Sequence, residues 1–198
     1  LTVGNPGFST YSIGANSIAI SPNGVPYIAY CEATSATNSL VVQKFNGTNW
    51  QIVGNTSGND AVQYSTLAIS ADGTIYVAFE NDNLSAKASI IKYSNSAWSV
   101  VGLPTVSVGR SRLMKIAITN DGTPYVAYAD GNSNFATILK YTNSTWSTVG
   151  STTSIPNYYM GFTVAKDGAL FVAYDDYDKN NWASVIKYPG INTKTESV

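Results

Sequence analysis

Four carboxylates stand at related points of this 198-residue sequence. Glu32, Glu80, Asp130 and Asp175 each follow, by one or two residues, the aromatic that closes an apolar run: Tyr30, Phe79, Tyr128 and Tyr174. Four acids around one mouth would coordinate a hard cation such as calcium, or accept hydrogen bonds from sugar hydroxyls. Acids at strand ends also bond loop amides, and spacing alone leaves these readings open. The stretch from Asp175 to Trp182 is the densest cluster, yet it lacks the sixth-position Gly and the distant Glu of an EF-hand loop. Tyr158, Tyr159, Tyr177 and Trp182 are expected on the same face, where aromatic plates beside Asp and Asn suit a glycan. Aromatics are equally enriched at protein interfaces.

Other chemistry is thinly represented. The chain has no histidine, and Cys31 is the single cysteine, so a Cys–His nucleophile and a paired-Cys zinc site are both missing. A small, buried role suits Cys31 better. A glycan-cleaving enzyme would use two carboxylates, for example Asp130 and Asp175. Near-equivalent copies nevertheless favour repeated binding over one unique centre, and the expectation is a non-catalytic binding module. Its ligand would be a glycan or a surface protein, and the rival is a structural, protein-contacting repeat segment. The net charge is −1, and Arg110 and Arg112 form the only local basic feature, which speaks against nucleic acid. No apolar run approaches a membrane span, so membrane insertion is not expected.

The elements that must position these residues are legible as a repeat. Trp50, Trp98 and Trp146 recur every 48 residues, and Gly54, Gly102 and Gly150 follow each by four. Lys44, Lys92, Lys140 and Lys187 keep nearly the same period, as do the turn glycines Gly24, Gly73, Gly122 and Gly168. Each unit reads as four short strands. A first apolar strand (Ile18–Ile20 in the first copy) meets an Asn-Gly or Asp-Gly turn and a second strand of the Tyr27-Ile28-Ala29-Tyr30 type. A third strand ends in Lys and an aromatic, and the fourth begins at the Trp. Both faces of the second strand are apolar, as in a strand sandwiched between neighbouring sheets. The lysines suit alkyl stems lying on the outer sheet with their charges in water.

Radial repetition of such meanders predicts an all-β propeller of four-stranded antiparallel blades. The expected organisation is one domain over residues 1–198, with repeats near 5–54, 55–102, 103–150 and 151–198. Leu1-Thr2-Val3-Gly4 matches the fourth-strand ending Ser147-Thr148-Val149-Gly150, while the last copy has no Trp at the expected position. Residues 1–4 are therefore expected to complete the last blade and close a four-bladed ring, the alternative being a slice of a longer propeller. Oligomerisation is expected if the ring does not close within one chain. The turns at one end of the strands are short and constant, whereas the loops at the other end vary, and function is sought there.

The pattern ISADGTIYVAFEN…ASIIKYSNSAWSVVG resembles a tandem propeller repeat of large secreted or surface bacterial proteins, across nearly the whole chain. The resemblance implies a propeller and a secreted or cell-surface location, and carries no catalytic residue. In architecture alone the chain is similar to tachylectin-like lectin propellers.

Overall fold

A computed structural model of the chain describes residues 2–34, 38–56, 61–133, 135–152 and 156–189. It is all-β, as the repeat predicts: four antiparallel sheets arranged as the blades of a β-propeller. Blade 1 holds β1 (Ile13–Ile20), β2 (Pro26–Ala33), β3 (Asn38–Phe45) and β4 (Trp50–Ile52). Blade 2 holds β5 (Val62–Ile69), β6 (Ile75–Asn81), β7 (Lys87–Ser94) and β8 (Ala97–Val100). Blade 3 holds β9 (Ser111–Ile118), β10 (Pro124–Asp130), β11 (Ala136–Thr142) and β12 (Thr145–Ser151). Blade 4 holds β13 (Pro156–Val164), β14 (Leu170–Asp176) and β15 (Trp182–Tyr188), three strands among the described residues. Every sheet runs in sequence order, so each blade is a meander.

The turns explain the meander. Between the first two strands of each blade a three-residue loop is closed by the turn glycine: Gly24, Gly73, Gly122 and Gly168 each donate to the carbonyl three residues earlier, at 2.9 Å. Each of these glycines has positive φ, the geometry that closes a three-residue hairpin. Asn95-Ser96 and Asn143-Ser144, at the turns into β8 and β12, also have positive φ, as two-residue hairpins require.

The core lies between blades. One cluster joins Ala29, Leu40 and Val42 of blade 1 to Val77 and Phe79 of blade 2. A second joins Ala78 and Ile90 of blade 2 to Ile116 and Val126 of blade 3, and a third joins Ala127 and Ile138 of blade 3 to Val172 and Tyr174 of blade 4. The second strands of blades 2 and 3 therefore send alternate side chains into two different cores, as their doubly apolar sequences require. Cys31 is buried at the first of these seams beside Ser65, and burial pushes its thiol pKa up.

At the rim the repeated Trp and Gly form one lock. Trp98 Nε1 donates to Val53 O at 2.9 Å and Trp146 Nε1 to Val101 O at 2.8 Å, each tying one blade to the end of the blade before. The glycine after each carbonyl lies against those rings: a Cβ on Gly54 would sit 2.6 Å from Tyr93 and 2.8 Å from Trp98. Blade 4 shows no Trp at this rim position among the described residues, and there Tyr188 bonds Ser151 O through its hydroxyl. The lysines lie across from the second-strand aromatics, Lys140 Nζ 5.7 Å from the Tyr125 ring centre and Lys187 Nζ 5.6 Å from that of Phe171.

Thr2–Gly4, expected to finish the last blade, are not paired with β15 among the described residues. They lie beside blade 1, where Trp50 Nε1 donates to Val3 O at 3.0 Å and Gly4 faces the rings of Phe45 and Trp50. Phe8 continues this cover, stacked 5.0 Å from Trp50 and edge-on to Tyr30.

Candidate functional site

The acids at the variable end do not form a ring. Strand registry gives the reason. Glu80 and Asp175 follow their aromatics by one residue, whereas Glu32 and Asp130 follow by two. Neighbouring residues of a strand point to opposite faces, so the four carboxylates divide between opposite sides of their sheets. Among the described residues no three His, Cys, Asp or Glu side chains lie together in a group that could hold a metal ion. The residues present therefore do not fit the calcium ring that their spacing suggested.

Each acid has a local task. Glu32 Oε1 accepts from Thr10 N at 2.6 Å and Tyr11 N at 3.0 Å, fixing the approach to β1. Asp130 Oδ1 accepts from Asn132 N at 2.8 Å and Ser133 N at 3.3 Å, turning the chain after β10. Glu80 is wholly buried between blades 2 and 3, where Arg110 Nη2 reaches its Oε1 at 3.0 Å. Its other oxygen has no hydrogen-bond partner. Burial raises the Glu80 pKa, and the Arg110 guanidinium works against that rise.

Asp175 differs in what surrounds it. Its Oδ1 accepts from Tyr158 N at 3.0 Å and Tyr159 N at 2.9 Å, and Oδ2 lies 2.9 Å from Tyr158 N. These amides belong to an irregularity in β13, where the register against β14 shifts between Pro156 and Met160. The bulge turns both tyrosines outward, 65 % and 77 % exposed, with ring centres 6.4 Å apart. Tyr158, Tyr159 and Asp175 line a cavity of about 510 Å³, together with Leu113 and Lys115 from β9 and Ala173 and Ala183 from β14 and β15. Asp175 is its one carboxylate among the described residues.

Of the eight residues singled out by sequence, the structure brings these three into one cavity. Tyr177 and Trp182 are exposed beside it, at either end of the 3-10 turn Tyr177–Lys179 and its exit, and do not line it. Lys115 is a cavity residue that sequence reasoning missed. It lies mid-strand in blade 3, in a repeat column that holds Ser17, Thr66 and Gly161 in the other blades, and its charge there is the signal that could have found it.

No protein family model and no curated protein sequence matches the chain. Solved structures do: a Hadza microbial sialidase (13% identity, TM-score 0.59) over 83% of this chain and 40% of its own. Aleuria aurantia lectin in complex with Fucα1-6GlcNAc matches at 17% identity and TM-score 0.61, over 90% of this chain and 64% of its own. Penicillium chrysogenum α-L-arabinanase complexed with arabinobiose matches at 14% identity and TM-score 0.60, over 94% and 64%. The chain thus spans less than two thirds of each of these proteins. Such identities establish the propeller fold. They also correct the expectation of a non-catalytic module: this fold houses a sialidase and an arabinanase, so neither the missing histidine nor the repeated blades set catalysis aside.

Proposed function

We propose that this chain belongs to a glycan-active enzyme of propeller fold, with the sugar held at the cavity of blade 4. The observation that carries the reading is the meeting of Tyr158, Tyr159 and Asp175 in one open cavity. Exposed tyrosine rings cover the apolar C–H face of a sugar, and a carboxylate held by backbone amides presents a fixed acceptor to its hydroxyls. Glycoside cleavage employs two carboxyl groups flanking the scissile bond, and Asp175 supplies one of them in this proposal. Lys115 adds a cation that suits an acidic sugar or a developing negative charge. A secreted or surface location, implied by the resemblance of the repeat, belongs to the same proposal, since polymeric glycans are met there.

The test is turnover of a panel of chromogenic sialosides, arabinofuranosides and fucosides. At least one is cleaved by the wild-type chain. Asp175→Asn lowers kcat by about 100-fold or more, while Tyr159→Ala raises KM with kcat little changed. Cleavage that survives Asp175→Asn, or sugar binding without any cleavage, would overturn the proposal.

A further inference from the structure

The two ends of the blade series present the two halves of one interface, neither covered by a blade among the described residues. At each internal seam the trailing face of a blade offers an alanine of the second strand paired with a β-branched residue of the third: Ala29 with Val42, Ala78 with Ile90, Ala127 with Ile138. All six are fully buried. The same column in blade 4 is Ala173 with Val185, and there Val185 is 65 % exposed. The leading face shows the mirror case. Leu67 and Ile116 are 5 % and 7 % exposed at the seams they close, whereas Ile18, their counterpart in blade 1, is 66 % exposed and Ile20 is 58 % exposed. The first strands pack in series, β1 on β5, β5 on β9 and β9 on β13, and β13 does not pack on β1 in this way among the described residues.

A third observation points to the same occupant. The outer edge of β15 carries no fourth strand among the described residues. Val3 and Gly4 meanwhile hold, against Trp50, the position that Val53-Gly54 and Val101-Gly102 hold against Trp98 and Trp146. In those two cases the Val-Gly pair ends the blade before. At blade 1 Val3-Gly4 stand where the outer end of a preceding blade would, with no inner strands behind them among the described residues.

We infer that the trailing face of blade 4 of one molecule docks on the leading face of blade 1 of a second copy of this chain. The second copy's Thr2–Gly4 then lie along β15. The interface continues the three seams inside the chain, with the same small-against-branched columns meeting the same inner-strand isoleucines. It is heterologous, because the two faces differ, so assembly proceeds head to tail and stops only where the rotation closes. Ala173 of this face also lines the blade 4 cavity, so a docked copy and a glycan compete for it, and mass measured without glycan reads the association alone.

The experiment is light-scattering mass measurement of the purified chain from about 1 to 200 μM, with far-ultraviolet circular dichroism as the check on folding. The wild type is expected at twice the 21.1 kDa chain mass or a higher multiple. Val185→Asp and Ile18→Asp each carry one spoiled face, and each alone is expected at the monomer mass. Mixed one to one, they retain one intact pair of faces and form a dimer, a recovery that general stickiness or a face-to-itself contact does not give. Ile20→Asp and Val185→Lys are the second pair should either first variant not fold. A wild type that stays monomeric over the whole range overturns the inference. So does a single variant that assembles unchanged, or a mixture that remains monomeric.

Discussion

The rim lock makes Gly54 the sharpest structural test, because a second glycine of the same backbone geometry supplies the control. Gly54 has φ +63° and Gly73 φ +85°, so an alanine at either site is forced into the left-handed region, at a cost of roughly 1–2 kcal/mol. The surroundings differ. A Cβ at Gly73 meets nothing within 4 Å, whereas one at Gly54 would lie 2.6 Å from Tyr93 Cε2 and 2.8 Å from Trp98 Nε1. Those rings are held in turn by the 2.9 Å bond from Trp98 to Val53 O. Gly54→Ala must push them aside, adding about 1–3 kcal/mol for overpacking. Losing that hydrogen bond adds about 1 kcal/mol more. The two variants should therefore differ by about 3 kcal/mol, which in a chain of this size is about 6–12 °C in melting temperature. Calorimetry measures the difference, and tryptophan emission reports the displacement of Trp98 directly. Equal losses at Gly54 and Gly73 would show that the Trp–Gly contact contributes nothing to joining the blades.

Two further predictions concern buried ionisable groups. Burial raises the Glu80 pKa, so the fold keeps a proton there at pH values where the unfolded chain has released it, and stability falls as pH rises through that window. Arg110 offsets this once Glu80 is ionised, but its side chain is 54% exposed, so Arg110→Ala should cost only about 1–3 kcal/mol at neutral pH. That loss should shrink in acid and be largely restored by adding Glu80→Gln; denaturation midpoints at neutral and acid pH check it, and a pH-independent loss would contradict it. Tyr30 and Tyr128 are pushed up to about 12, chiefly by burial, with Glu32 and Asp130 as the added negative neighbours. Both should stay protonated in an ultraviolet absorbance titration above pH 10, and stability should fall between 10 and 12 as the tyrosines of the unfolded chain alone ionise.

The parts of this molecule that sequence reveals are those governed by local rules. The turn glycines need positive φ, and the double apolarity of the second strands requires a sheet on each side, so the blades follow from residues close together in the chain. The acidic column misleads for an equally physical reason. An offset of one or two from Tyr30, Phe79, Tyr128 and Tyr174 looks like loop variation, yet within a strand one residue reverses the face. Glu80 is thereby sent into a seam with Arg110, while Glu32 and Asp130 hold neighbouring amides. Asp175 shares the Glu80 offset but has no blade packed beyond it among the described residues, and it stands at a cavity with Tyr158 and Tyr159.

Coverage by the next blade is therefore the quantity that separates a seam from a site here, and repeat columns do not state it. One residue does hint at it. The third-strand position before the lysine is Ile91, Leu139 and Ile186 in blades 2 to 4, but Gln43 in blade 1. A polar group in a leading-face column marks that face as one not covered in the same way. Gln43 is buried, donating to Tyr30 OH at 2.9 Å beneath the cover that begins with Phe8, and its amide oxygen has no partner. An unpaired buried acceptor of this kind costs roughly 1–3 kcal/mol. Gln43→Leu would remove it and extend the apolar column through all four blades. The substitution should stabilise the chain against urea and leave turnover of any glycan unchanged, because Gln43 and the Asp175 cavity lie at opposite ends of the blade series. A loss of stability would mean that the bond to Tyr30 outweighs the unpaired oxygen.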